Sequence, residues 1–234
     1  MVRDGVAAVR ARIEAACSRA GRDPAEVTLV AVSKTFPAQA VQEALAAGIT
    51  DVGENRVQEA REKKPAVTGG ARWHLIGHLQ SNKAKDAVRL FDVIQSVDSE
   101  SLAEKLARAA EGEGKRQEIL LQVNIGREPQ KSGIDPDDVE RLAETIRAAA
   151  ALDLRGLMAI PPVGEAEETR RWFRALRLLR DRIGVQHLSM GMSEDFEVAI
   201  EEGSTMVRVG RAIFGARQSP LPAGERVAEG RVRG

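Results

Sequence analysis

Tyrosine is absent from this 234-residue chain, and cysteine occurs once, at Cys17. One cysteine excludes an internal disulfide and suits a reducing compartment. Without tyrosine, one of the common general acid–base groups is missing from the chain's own repertoire. Aromatic residues make up only 3% of the sequence. Excess charge is lacking too: lysine plus arginine and aspartate plus glutamate each number 35, for a formal net charge of zero. No basic surplus points to nucleic acid, and no basic amphipathic arm points to a membrane surface. No apolar stretch approaches the roughly 18 residues a membrane span needs. The N-terminus, Met1-Val2-Arg3-Asp4-Gly5, leads into an amphipathic pattern rather than the apolar core of a signal peptide. The expectation is a soluble cytoplasmic domain.

What is present is patterned. Hydrophobic residues reach 43%, enough for one well-buried core, and single α/β domains of roughly 200–250 residues are common. Strand-length apolar runs fall at Thr28–Ser33, Thr50–Gly53, Arg72–Gly77, Val93–Val97, Glu118–Asn124, Leu154–Ile160, Gln186–Met190 and Thr205–Gly210. Between them lie stripes at three- and four-residue spacing: Ala40, Val41, Ala44 and Leu45; Leu102, Leu106 and Ala109; Val139, Leu142, Ile146 and Ala149. The heaviest stripe is Trp172, Phe173, Leu176, Leu179 and Ile183. Asp135-Pro136 reads as a helix cap and first-turn proline, and Ser193 before Glu194-Asp195 as a second cap. Eight strands alternating with helices predict a parallel α/β sheet closed into a single (β/α)8 TIM barrel, with an extra N-terminal helix as a cap. Gly126–Asp135 is a long loop after the fifth strand, on the face where such barrels build sites. Residues 1–217 form the barrel domain; 218–234 lack periodicity and read as a flexible tail.

Lys34 ends the first strand, and alternation puts Val30, Val32 and Lys34 on one side of it. If that side faces the barrel axis, the amine lies at the top of the interior, where burial disfavours the ammonium and favours attack on an aldehyde. From the strand alone, an ordinary rim lysine reaching into water is the favoured reading, and the eighth strand changes that balance. Barrels commonly hold phosphate with the loops after strands seven and eight. Here those are Ser189-Met190-Gly191-Met192-Ser193 and Val209-Gly210-Arg211-Ala212. Gly210 permits close backbone approach, the N–H groups of Gly210 and Arg211 open a helix toward an anion, and Ser193 adds a hydroxyl. The combined occupant is an aldehyde carrying a phosphate. Arg208 sits inside an apolar strand and needs an acceptor: a pyridine nitrogen, a ligand carboxylate, or an ion pair with a barrel carboxylate such as Glu54. Glu54 and Asn55 end the second strand at the same rim, to orient a ligand or cap a helix. His74 and His78 lie four apart on a strand and turn, a poor arrangement for metal.

Seven blocks in order resemble one family, the pyridoxal phosphate homeostasis proteins (the YggS/PROSC group). They are Val30-Ala31-Val32-Ser33-Lys34-Thr35, Gly53-Glu54-Asn55, Trp73-His74-Leu75-Ile76-Gly77-His78-Leu79-Gln80-Ser81-Asn82-Lys83, Lys131-Ser132-Gly133, Arg155-Gly156-Leu157-Met158-Ala159-Ile160-Pro161, Leu188-Ser189-Met190-Gly191-Met192-Ser193 and Gly203-Ser204-Thr205-Met206-Val207-Arg208-Val209-Gly210. The resemblance implies a barrel like the N-terminal domain of alanine racemase, with pyridoxal 5'-phosphate (PLP) held as a Schiff base on Lys34. It implies Arg208 against the pyridine nitrogen, phosphate contacts from Ser193, Gly210 and Arg211, Asn55 lining the pocket, and Lys131 in a rim motif used in cofactor handover. Two positions depart from the pattern: Arg56 stands where many relatives carry tyrosine, and Phe36 where some carry lysine.

The expected role is a monomeric, non-catalytic PLP carrier in intracellular vitamin B6 homeostasis, with apo PLP-dependent enzymes as acceptors. The alternative is an amino-acid racemase of the same barrel type. Two-base racemisation of that type takes a tyrosine from a second domain, whereas this chain has none and only 19 residues follow Gly215. An arginine at the pyridine nitrogen also makes the ring a poorer electron sink. A Schiff-base aldolase ranks last, since Glu54 alone offers an acid–base partner near Lys34.

Overall fold

In the computed structural model, which describes residues 1–216, all eight strand candidates join one closed parallel barrel. The strands are β1 (Thr28–Val32), β2 (Asp51–Glu54), β3 (Arg72–Leu75), β4 (Val93–Val97), β5 (Gln117–Val123), β6 (Leu152–Ala159), β7 (His187–Ser189) and β8 (Met206–Val209). Helix α1 (Val2–Ala20) precedes them; α2 (Ala38–Ala46), α3 (Val57–Lys63), α4 (Ala84–Leu90), α5 (Glu100–Gly112), α6 (Val139–Arg147), α7 (Ala166–Ile183), α8 (Phe196–Glu201) and α9 (Arg211–Phe214) follow β1 to β8 in turn. The barrel fold and the extra N-terminal helix are therefore as the sequence pattern predicts. The tail expected from residue 218 lies outside the described residues.

Closure is the step that makes a site. β1 pairs with β8 in the register Val30↔Arg208 and Ala31↔Val209. One residue further brings Val32 beside Gly210, where a Cβ on the glycine would stand 3.1 Å from the Val32 carbonyl oxygen. The two ends of the chain that carry Lys34 and Gly210 thus finish on the same rim.

Two apolar layers hold the barrel. Val30, Val93, Leu120, Met158 and Met206 fill its interior. Outside, residues of opposite parity such as Ala31, Val52, Leu75, Ile94 and Leu121 pack under the helices. Helix α7 contributes Phe173, Leu176, Leu179 and Ile183 to that outer layer. Each such side chain stabilises by about 1.5–3 kcal/mol on burial. A capping box between Glu165 and Glu168 starts α7, and left-handed Gly184 ends it.

Helix α1 buries Val6, Val9, Ile13, Ala16 and Cys17 on one stripe. Gly5 lets it meet α9 closely, since a Cβ there would lie 2.7 Å from the Ile213 carbonyl oxygen. Arg12 to Glu197 and Arg19 to Glu201 tie the same helix to α8. No helix among the described residues is long and apolar enough to cross a membrane.

Polar residues share the barrel interior. Asp51 accepts hydrogen bonds from His74 at 2.8 Å and from Thr50 at 2.7 Å. Burial pushes its carboxyl up, but these bonds outweigh burial and hold it below the usual carboxylate range. A depressed carboxyl adds stability that is present above the unfolded pKa and lost as pH falls through the folded one. Asp51→Asn is therefore expected to lower stability near pH 7 by about 1.5–3 kcal/mol, the range for hydrogen bonds to charged groups. Thermal melts at stepped pH should show the gap to wild type closing in acid; a constant gap contradicts this account.

Candidate functional site

β1 ends at the turn Ser33-Lys34-Thr35-Phe36, and four contacts fix that turn. The Ser33 hydroxyl donates to Glu54 Oε1 at 2.5 Å, and Lys63 Nζ donates to the Ser33 carbonyl at 2.8 Å. Thr35, a β-branched residue at φ 69°, is held by its N–H donating to Glu59 Oε2 at 2.8 Å. Phe36 stacks on Phe214 of α9, ring centroids 5.1 Å apart. The turn is clamped from β2, α3 and α9 together.

Glu54 departs from expectation. Alternation in β2 points Asp51 and Gly53 inward, so Glu54 faces out beneath α3, fully buried. Its Oε1 also accepts from Lys63 Nζ at 2.8 Å, while Oε2 accepts from no donor among the described residues. Burial raises its carboxyl, with Lys63 and Ser33 opposing. It neither pairs with Arg208 nor lines the cavity as a ligand-orienting group.

The rim surrounds one cavity of about 790 Å³, within the range of small-molecule sites. All six sequence-nominated residues line it: Lys34, Asn55, Ser193, Arg208, Gly210 and Arg211. Lys34 is half-buried there, beside inward-facing Val32. Arg208 is 4% exposed and forms part of the floor. Its Nη1 donates to Ser189 Oγ at 2.7 Å and its Nη2 to the Ala159 carbonyl at 2.9 Å. Burial lowers this guanidinium to about 10, with Asp195 opposing, so it stays a cation at neutral pH. Gly210 caps α9, whose first N–H groups have no acceptors within the helix.

Ser193 does not cap a helix. α8 begins at Phe196 with Asp195 at its N-cap position, and Asp195 Oδ1 accepts from the Met192 N–H at 2.7 Å. A carboxylate two residues on closes this turn in place of the serine hydroxyl, leaving Ser193 in the cavity wall. The turn needs Gly191: it stands at φ 90°, where a Cβ would meet Phe196 Cα at 2.8 Å. The Gly191 carbonyl accepts from the Arg208 N–H at 3.0 Å, joining this loop to β8.

The Gly126–Asp135 loop lies at the mouth, as its position after β5 predicts. Gln122, Lys131 and Ser132 line the cavity, and Lys131 Nζ donates to the Pro161 carbonyl at 2.9 Å while pairing with Glu128. Sequence reasoning did not nominate Ile76, Gln122, Ile160 and Met192, which also line the cavity. Gln122 was findable: it shares inward parity with Leu120 on β5. His74 is buried between Asp51 and Gln95, whereas His78 is on the cavity rim, 3.7 Å from Asp98.

An amine, a buried cation and a helix-opening backbone on one barrel rim define a class. Residues 6–218 match the family model for the alanine racemase N-terminal domain. Its curated relatives narrow the class. The pyridoxal phosphate homeostasis protein of Pseudomonas aeruginosa is 46% identical over 226 residues, spanning 95% of this chain and 98% of the relative. That of Aquifex aeolicus is 41% identical over 215 residues, spanning 88% and 94%. Among solved structures, PipY of Synechococcus elongatus with PLP bound matches at TM-score 0.81 and 39% identity, over 92% of this chain and all of that one. The chain belongs to the pyridoxal phosphate homeostasis protein family.

Proposed function

We propose that this chain binds PLP in the cavity, holds it as a Schiff base through Lys34, and carries it to acceptor enzymes in the cytoplasm. The observation that carries this reading is the shared rim: the Lys34 amine, the Arg208 cation and the start of α9 open into one cavity. When bound, PLP supplies an aldehyde able to link to an amine and a phosphate dianion able to anchor it. Lys34 provides the amine. Ser193 and the N–H groups of Gly210 and Arg211 take the phosphate, and Asn55 lines the side wall. Arg208 faces the ring nitrogen.

The donor set fits the group. A guanidinium that stays cationic does not make the ring nitrogen a pyridinium, which weakens the ring as an electron sink and favours carriage over racemisation. The outward turn of Glu54 removes the acid–base partner an aldolase would use near Lys34.

Transfer is the test. Holoprotein mixed with an apo PLP-dependent enzyme is expected to activate it faster than PLP is lost to an aldehyde-trapping amine in buffer. Activation no faster than that loss would make the protein a passive reservoir. Conversion of an L-amino acid to its D-form by the holoprotein would instead establish a racemase.

A further inference from the structure

Below the cavity floor, five polar side chains from five strands form one hydrogen-bonded chain across the barrel. Arg208 Nη1 donates to Ser189 Oγ at 2.7 Å. That oxygen already accepts from a cation, so its proton goes on to Gln95 Oε1 at 2.6 Å. The amide is thereby oriented, and Gln95 Nε2, which only donates, faces His74 Nδ1 at 2.9 Å. His74 Nδ1 must accept, so its proton sits on Nε2 and is donated to Asp51 Oδ1 at 2.8 Å. All five residues are 7% exposed or less.

Every bond in this chain runs the same way, from the guanidinium in the cavity floor to a carboxylate at the far end. Bonds aligned in this sense polarise one another. The same layer holds Val30, Val93, Leu120 and Met158, so apolar filling is compatible with this barrel. Polar residues cost more to bury, and these five lead from a cation to an anion. A carboxylate touching Arg208 directly would compete with a ligand for its N–H groups. A relay delivers the counter-charge from the side facing away from the cavity and leaves the other side open. The remaining charge near Arg208, Asp195, is engaged by the Met192 N–H.

We propose that Asp51, His74, Gln95 and Ser189 are a positioning relay that orients Arg208 and sets the field it presents to a ring nitrogen, coupling the two ends of the barrel. The part concerning the ring nitrogen rests on the PLP reading above; the coupling does not.

The test has two arms. In PLP-free protein labelled with ¹⁵N-histidine, His74 is expected as the Nε2–H tautomer. Its nitrogen resonances should move in Ser189→Ala and in Arg208→Gln; two variants guard against one failing to fold. Unmoved resonances in folded variants overturn the relay. In PLP-loaded protein, Ser189→Ala and Asp51→Asn should each shift the visible absorbance and weaken binding about 3- to 10-fold. Combined with Arg208→Gln, Asp51→Asn should add nothing further to either readout. Equal effects with and without Arg208 would show a general packing role and overturn the relay. If wild type binds no PLP while His74 responds to Arg208, the PLP reading fails and the coupling stands.

Discussion

Loaded with PLP and passed through a desalting column, Lys34→Ala emerges without visible absorbance, whereas wild type emerges coloured. The expected effect is complete because the linkage needs a primary amine at the cavity. Two lysines line the cavity, Lys34 and Lys131. Lys131 sits at the mouth, engaged by Glu128 and the Pro161 carbonyl, and Lys131→Ala should keep the colour. Lys34 emerges from the turn fixed on β2, α3 and α9, so its amine is presented from a rigid base. The turn should keep its place on the barrel, because the clamping contacts involve Ser33, Thr35 and Phe36. An absorbance scan beside a thermal melt checks both statements. Colour retained in Lys34→Ala and lost in Lys131→Ala would move the linkage to the mouth.

The parts legible in the sequence were those a single strand can report. β1 alternation alone gave the side shared by Val30, Val32 and Lys34, and the apolar neighbours of Arg208 marked it as an inward charge. Barrel closure then brought these to one rim, as the eightfold pattern implied. Glu54 is ambiguous in the sequence because Asp51-Val52-Gly53-Glu54 carries a carboxylate on each face. Parity separates the two faces, but only the buried amine of Lys63 reveals which one Glu54 serves. Ser193 has the residue type of a cap, but Asp195, two residues later, is the stronger acceptor for the turn. The relay had no local signal at all. His74 and Gln95 lie on neighbouring strands, but Gln95 and Ser189 are 94 residues apart and meet only across the closed barrel.

Removing the Lys63 amine should produce the largest stability loss of any single change discussed. Lys63→Met leaves Glu54 fully buried with the Ser33 hydroxyl as its remaining donor among the described residues, none of which donates to Oε2. Breaking one side of a buried pair costs about 3–5 kcal/mol. Glu54 then holds its proton more tightly when folded than when unfolded, so the sign of the pH dependence follows. Stability is retained below the unfolded carboxylate pKa and falls as pH rises toward the raised folded value. Urea unfolding of Lys63→Met should therefore show a wide deficit at neutral pH that narrows in acid. Adding Glu54→Gln removes the charge itself, and the double variant should recover part of the loss at neutral pH. A double variant weaker than Lys63→Met would mean that Lys63 acts through the Ser33 carbonyl and Glu59 rather than through Glu54. The consequence reaches the site either way, since the same amine anchors the turn that carries Lys34. PLP loading should slow in Lys63→Met even at acidic pH, where the fold recovers, because the Ser33 carbonyl has still lost its donor.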